Sequence, residues 1–519
     1  MHSLKNPLSF RPSSRPTSPA PPSRPDSGIG MERSRPLTKL SLNNLRRASP
    51  APLSTPTPAP HTLVQDGSYL EMLSLKLSEA VSRAVTQPSG TPAMNDVVSG
   101  KKPIPSGRGS TLGALIVSEL KAANGNPHLH RAIVRSLHKP LSVLLGSLSS
   151  MMLPLLSSPA FVTPPAPTVQ SPHPNAVQLH AIAIATFAGE LLETFDELNL
   201  GHDNDVRGDG LKGIREGLVS VVSRVINPLV GGIRRELVPI IDALELSIPG
   251  KMTLGVKNVV LHSSVLTLQS IIPIYTQALR RYTSSRTAQN LLATFVISLV
   301  WRSMVALCHR PTTPSPPSSP GLISATKKRR NSPSSTPPLT PPASRFTIKL
   351  PSSRPPSPPI PVSAPSLSPS TDARAIYDLL VTLPTPVAET ESGRLAREAV
   401  DEAMNGLHAL ADLFDAAHHL LKVTSDSTIE DQALELERLT EKIPTLIALP
   451  VLLRAQNLDI RSEVVLGLSE EDYRNSCLTG FGRADECATP VGLRVHDHIR
   501  TSENTAPVLL AWLEKEIAE

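Results

Sequence analysis

A run of four cations in the second half of the chain carries the most specific chemistry in this sequence. The run consists of Lys327, Lys328, Arg329 and Arg330. Adjacent cations in an extended, exposed segment form the pattern that the acidic, tryptophan-lined grooves of nuclear-import receptors bind. The sequence therefore predicts a nuclear-import signal here, with an import receptor as one partner.

Hydroxyl groups beside proline or after paired arginines are candidates for phosphorylation. Ser332, Thr340 and Ser357 each precede a proline, and Ser49 follows two arginines and also precedes a proline. A phosphate on Ser332 would cancel part of the charge of the cationic run, because it would add negative charge two residues away. We predict these four residues as phosphosites and protein kinases as further partners.

Two cysteines and two histidines near the C-terminal end most resemble a set of metal ligands. They are Cys477, Cys487, His496 and His498. Their spacing matches no zinc module, and histidines two positions apart share a face only on a strand. We interpret the histidines as part of a polar loop and predict no metal site.

Two glycine-containing loops resemble phosphate and calcium sites at first sight. No strand precedes Gly107–Gly113, and its glycine spacing is not that of a phosphate loop, so a flexible helix entry is predicted. In 201–210, Arg207 stands where a calcium loop needs an oxygen ligand, so an Asp-capped helix start is predicted.

The motifs of the common enzyme classes are missing from the sequence. It contains no GxSxG, HExxH or paired CxxC motif and no kinase signature. An enzyme needs at least a nucleophile and a base at credible positions. We therefore predict that the protein is not an enzyme and uses no cofactor.

Proline content divides the chain into four regions. Of its 54 prolines, 31 fall within 1–62 and 311–370, which are rich in Ser, Thr and Arg and almost free of aromatic residues. Such segments bury too little apolar surface to offset the entropy of ordering, so both are predicted to be disordered. We predict a helical bundle domain in 63–310 and an acidic helical module in 371–519.

Charge is unevenly distributed between the two ends of the chain. Residues 1–370 carry 38 Lys and Arg against 18 Asp and Glu, whereas residues 371–519 carry 13 against 27. Basic segments attract nucleic acid, acidic lipid or acidic protein surfaces, and here they could also fold back on the acidic C-terminal region. Nucleic acid is therefore one candidate partner, although the sequence contains no motif that reads nucleic acid.

Apolar residues recur at three-and-four spacing through most of 66–310. In 253–283 one row stands at every seventh position, and a second row lies beside it on the same helical face. The rows are Leu254, Leu261, Leu268, Tyr275 and Tyr282, and Val265, Ile272 and Leu279. With short connections, this pattern predicts an all-α fold: an irregular helical bundle or short α-solenoid at about 66–310, plus a smaller acidic helical module at about 371–519.

A similar stripe in the acidic region spans three heptads, as is typical of a coiled coil. Its members are Val400, Ala403, Leu407, Leu410, Phe414, Ala417 and Leu421. We predict that other proteins bind the helical face from Val400 to Leu421. A shorter stripe in the same chain, from Ile429 to Ile443, is the alternative partner.

These features favour a non-enzymatic helical scaffold or adaptor that has a regulatory role in the nucleus and is tuned by phosphorylation. The expected location is nuclear or nucleocytoplasmic. Three cysteines without a pairing pattern and an N-terminus without an apolar run argue against secretion, and dense prolines argue against a mitochondrial leader. The alternative is a peripheral membrane or organellar protein that uses 141–156, 285–309 and the basic segments. Integral insertion is disfavoured because Arg302 lies inside 285–309.

Overall fold

A computed structural model describes residues 65–90, 96–202, 210–246, 261–310, 368–421, 428–456, 458, 465, 467–501 and 506–518. The predicted import signal and all four predicted phosphosites lie outside these ranges. So do the predicted disordered segments, apart from 368–370, and most of the loop around Arg207. The import signal, the phosphosites and the disordered segments stay predictions. The predicted Asp-capped helix start is wrong, because the helix after this loop begins at Lys212 and is preceded by Leu211, which is buried in the core and makes no capping hydrogen bond.

The protein is all-α, which confirms the predicted fold class. The described ranges contain fifteen α-helices and two isolated β-bridges at Ser89–Lys101 and Val98–Lys101, with no β-strand. The helices are α1 (Gln65–Val85), α2 (Arg108–Ala122), α3 (Pro127–Ser157), α4 (Pro159–Val162), α5 (Ala176–Glu197), α6 (Lys212–Asp242), α7 (Ser263–Tyr282), α8 (Arg286–His309), α9 (Pro369–Leu380), α10 (Glu391–Leu420), α11 (Ile429–Thr440), α12 (Thr445–Ala455), α13 (Glu470–Cys477), α14 (Phe481–Thr501) and α15 (Pro507–Ala518).

The predicted helical stripes become the core of the first eight helices. Helix α5 packs against α2 and α6, α1 packs against α3, and α6 packs against α8. On α7, both predicted rows are buried from Val265 to Tyr282. Asn126 begins α3, where its side chain accepts from the N–H groups of His128 and Leu129 and so satisfies two unpaired helix donors.

Helix α8 lies at the centre because it is apolar on nearly every side. Helices α5 and α6 cover it from one direction, and α9, α10 and α12 cover it from the other. The two regions that the sequence separates at 311–370 therefore share one hydrophobic core. By length and composition, α3, α5, α6 and α8 are each long and apolar enough to cross a membrane.

The predicted binding stripe on α10 is used inside the protein. Val400, Leu407 and Leu410 are fully buried, because α10 packs against α8, α9, α11 and α12 of the same chain. Of the seven stripe residues, Phe414 alone keeps partial exposure. The prediction that other proteins bind this face is wrong, because α8 and the neighbouring helices of the same chain already cover it.

Two glycines permit α2 and α5 to approach closely. A Cβ atom on Gly109 would lie 2.4 Å from the backbone oxygen of Phe187, and one on Gly113 would lie 2.0 Å from Oγ1 of Thr194. Real Cβ contacts are never this short, so both positions require glycine. The residues that resembled a phosphate loop are therefore part of a helix-packing contact.

A buried ion pair joins the chain ends on either side of 311–367. The carboxylate of Asp372, with no exposed surface, accepts from the Arg310 guanidinium and, at 2.9 Å, from the backbone N–H of His262. The His262 ring accepts from the N–H of Ser264, so its other nitrogen donates to the Leu246 carbonyl at 2.9 Å. This cluster ties together the ends of α6 and α8 and the starts of α7 and α9.

We expect Gly113→Ala and Gly146→Ala to change stability in opposite directions. The first inserts a methyl group against Thr194 and should lower the free energy of unfolding by about 1 to 3 kcal/mol. Gly146 is exposed within α3 with nothing within 4 Å of an added Cβ, so alanine there should add about 0.5 to 1 kcal/mol. Unfolding followed by circular dichroism checks both, and equal shifts would contradict the close approach of α2 and α5.

We also expect Asp372→Ala to be strongly destabilising, because it leaves the Arg310 charge buried without a partner. The expected loss in unfolding free energy is about 3 to 5 kcal/mol. The matched control is Asp412→Ala, which removes an exposed carboxylate from Arg374 while Asp415 keeps its own bond at 2.7 Å. The control should cost less than about 1 kcal/mol in urea unfolding. Similar losses for both variants would refute a structural role for the buried pair.

Candidate functional site: an acidic groove between helices

An open groove of about 1280 Å³ lies between α10 and α11, and the turn 442–445 and residues of α8, α14 and α15 also line it. Glu398, Glu402 and Asn405 contribute one row from α10, and Asp431, Leu434 and Arg438 contribute another from α11. Both rows follow three-and-four spacing, so each is one continuous helical face. The groove therefore lies on the polar faces of two amphipathic helices.

Carboxylates dominate the lining of this groove. Nine acidic side chains line it, against two basic ones, Arg438 and Lys442. The acids are Glu398, Asp401, Glu402, Asp431, Glu435, Glu437, Glu441, Asp485 and Glu516. This density of like charge creates a negative potential that attracts cations.

Several of these acids are held by residues of the same chain. Glu398 and Asp401 pair with arginines one turn earlier on α10, and Glu437 pairs with Lys515 of α15 at 2.5 Å. The Arg438 guanidinium donates to Glu435 and lowers the pKa of that carboxyl below its usual range. These contacts hold part of the acidic rim in place.

Three carboxylates remain available to an incoming cation. Glu402, Glu441 and Asp485 are exposed and form no salt bridge with any residue in the described ranges. They come from α10, the end of α11 and α14. A ligand that contacts all three must extend across the groove.

The floor of the groove is apolar. Leu434, which is 58% exposed, lines the groove together with Ile297 of α8 and Ile443. Phe481, which also lines the groove, packs against Trp301 in a tilted arrangement with ring centroids 4.4 Å apart, and this contact holds its ring in place. Ligands with both cationic and apolar side chains match this combination.

Hydrogen bonds between helices fix the walls. Thr440, at the end of α11, accepts from the indole N–H of Trp512 at 3.0 Å, and Thr445 donates to Glu516 at 2.6 Å. Thr428 begins α11 by accepting from the N–H of Asp431. Because these bonds join α11, α12 and α15, the groove is built into the fold.

The predicted polar loop around His496 and His498 is wrong, because both residues lie on α14. Proline at position 490 did not end this helix, which begins at Phe481. On a helix, positions two apart point in different directions, and His496 instead contacts Glu514 of α15 at 3.4 Å.

No group of three or more metal-binding side chains occurs in the described part of the chain. Burial, and the thiol of Cys487 beside it, raise the pKa of Cys477 to about 11, so it stays a thiol at neutral pH.

The anion-binding end of α2 is occupied by the protein itself. The backbone N–H groups of Gly107 and Gly109 donate to the Glu190 carboxylate at 2.7 and 2.9 Å. This carboxylate takes the place that a phosphate would take at a helix N-terminus. The structure agrees with the predicted helix entry and shows that Glu190 accepts hydrogen bonds from its backbone N–H groups.

Sequence reasoning missed the groove, although its signal was present. The acids at 398 and 402, and those at 431 and 435, are four positions apart, which is the helical spacing also seen in the buried stripes. Taken from the sequence, the acidity of 371–519 indicates only an overall charge. That two acidic faces would meet over an apolar floor depends on how α10 and α11 pack.

Comparisons with known proteins identify no family. No protein-family model matches the chain, and no curated protein matches it. Among solved structures, the chain is similar to the C-terminal domain of the exocyst subunit Sec6p, with a TM-score of 0.36 and 11% identity over 86% of this chain and 94% of that one. A likeness of this size carries no argument about function.

Neutralising the three available carboxylates should leave the fold intact. We expect the combined variant Glu402→Gln, Glu441→Gln, Asp485→Asn to melt at the same or a slightly higher temperature in low salt, because removing like charges relieves repulsion. High salt should remove any gain. The control, Glu398→Gln with Asp401→Asn, breaks two ion pairs and should show no gain. A large loss of stability in the first variant would show that the carboxylates are structural.

Proposed function

We propose that this protein is a non-enzymatic helical scaffold whose acidic groove binds a basic, partly apolar segment of a partner protein. The observation that carries the proposal is the joint presence of available carboxylates and an exposed apolar floor in one groove. Surface carboxylates alone are usually solvated. Together with Leu434 and Phe481 they provide both long-range attraction and apolar burial for a peptide.

We further propose that the scaffold acts in the nucleus and is regulated by phosphorylation. Support comes from the sequence: Lys327–Arg330 resembles an import signal, and Ser332, Thr340 and Ser357 precede prolines. An import receptor and proline-directed kinases are the partners that these residues would bind. Ser49, with arginines before it and a proline after it, is the fourth proposed phosphosite.

A fluorescent fusion tests the proposed location. The wild-type chain should accumulate in the nucleus, and replacing Lys327 to Arg330 with alanine should shift it to the cytoplasm, because the receptor loses its cationic contacts. As a control, alanine at Arg234 and Arg235 removes two adjacent exposed cations from α6 that do not line the groove, and it should leave the location unchanged. A wild-type fusion that never enters the nucleus would refute the nuclear role.

A membrane-associated protein is the second candidate, favoured by the outer face of α3. Val143 and Leu153 there expose 59% and 52% of their surface, and α3 is long and apolar enough to cross a membrane. The same fusion discriminates between the two functions. Sedimentation with membranes in low-salt buffer would support the membrane candidate, whereas recovery in the supernatant of the same low-salt buffer would support the scaffold.

A further inference from the structure

We propose that residues 322–330 of this same chain occupy the acidic groove reversibly when no partner is bound, so that the groove and an import receptor compete for the same cations. The proposal rests on the proposed function, since it names the occupant of the same groove. Three independent features of the chain lead to it: charge, apolar content and reach.

Charge complementarity is the first feature. The groove carries nine acidic and two basic side chains, whereas 311–370 contains seven Lys and Arg and no acid. Four of those seven cations are consecutive, from Lys327 to Arg330. Three available carboxylates on different helices match a run of adjacent cations better than they match single scattered cations.

Apolar content is the second feature. Leu322 and Ile323 are the only bulky apolar residues in 311–330, and they stand five and four positions, respectively, before the cationic run begins. The groove offers Leu434 and Phe481 on its floor and edge. A segment that places Leu322 and Ile323 on this floor brings the cations to the acidic rim.

Reach is the third feature. Ile297 lines the groove from α8, and the chain leaves the same helix after Arg310, thirteen residues or about 20 Å further along. The sixteen residues between Arg310 and Lys327 span up to about 55 Å when extended. Because the ion pair of Arg310 with Asp372 fixes both ends of this excursion near one point, a tether of this length would present the cations to the groove at an effective concentration in the millimolar range.

Phosphorylation would then weaken docking directly. A phosphate on Ser332 lies two residues from Arg330 and would enter a field set by Glu402, Glu441 and Asp485. Like charges repel there, so the segment leaves the groove. Phosphorylation of Ser332 would thus determine whether the segment is bound in the groove.

Zero-length carbodiimide cross-linking of the full chain tests the docking, because it joins lysine amines to carboxylates that are in contact. Wild-type chain is mixed with an equal amount of 15N-labelled chain, and cross-linked peptides are identified by mass spectrometry. We expect Lys327 or Lys328 to be joined to Glu402, Glu441 or Asp485 within one chain. Ser332→Asp, and separately the pair Leu322→Ser and Ile323→Ser, should lower the yield several-fold.

Acids elsewhere on the surface provide the internal control. Glu470, Glu471 and Asp472 form the acidic first turn of α13 and do not line the groove. Equal cross-linking of the lysines to these residues would overturn the proposal, because attraction would then be general. Cross-links between labelled and unlabelled chains would overturn it as well.

A second arm separates failure of this inference from failure of the proposed function. A fluorescent peptide of residues 321–335 is titrated into full chain, either wild type or with Lys327 to Arg330 replaced by alanine. We expect about tenfold tighter binding to the alanine chain, because its own segment competes less well. Equal binding that still depends on Glu402, Glu441 and Asp485 would refute self-docking and keep the proposed function. Binding to neither chain would refute both.

Discussion

Covering helix α8 is the constraint on which the rest of this structure depends. Its residues are apolar on nearly all sides, and a helix of that kind is stable in water only when other helices enclose it. The first helical region supplies α5 and α6, which cover part of its surface. The rest is covered by α9, α10 and α12, which follow 311–367 in the chain. The hydrophobic effect on one helix therefore unites two regions that differ in charge and are far apart in sequence.

Burial of α8 also decides which face of α10 remains for function. Since the apolar stripe of α10 is buried against α8 and its neighbours, the side of α10 that stays exposed to solvent is the acidic one. Helix α11 contributes a second acidic side and the exposed Leu434. A groove rich in carboxylates results, and such a surface selects ligands by charge first and by apolar contact second. The basic segments of the chain have the complementary composition.

Polar contacts at the junction of the two regions add specificity to this packing. Asp372 is enclosed by Arg310 and the backbone of His262, so the start of α9 has one position relative to the ends of α6 and α8. Any other packing that separated Asp372 from Arg310 would leave a buried charge without a partner. Because such a charge is energetically costly, those packings are disfavoured. The three groups stand far apart in sequence, and no local pattern indicates that they meet. Gly113 is a comparable case, because its need for glycine arises from Thr194 on another helix.

The sequence by itself determined that the protein is helical and which residues of each helix are apolar, because side chains three and four positions apart share a helical face wherever the helix packs. That three-and-four spacing alone predicts the rows on α7 and the stripe on α10. Only the tertiary structure decided what each face contacts: Val400 and Leu407 meet the chain's own α8 region, while Glu402 and Glu441 meet solvent across a groove. The physical reason is that periodicity is a local property, whereas burial depends on which apolar surfaces are close enough to exclude water together.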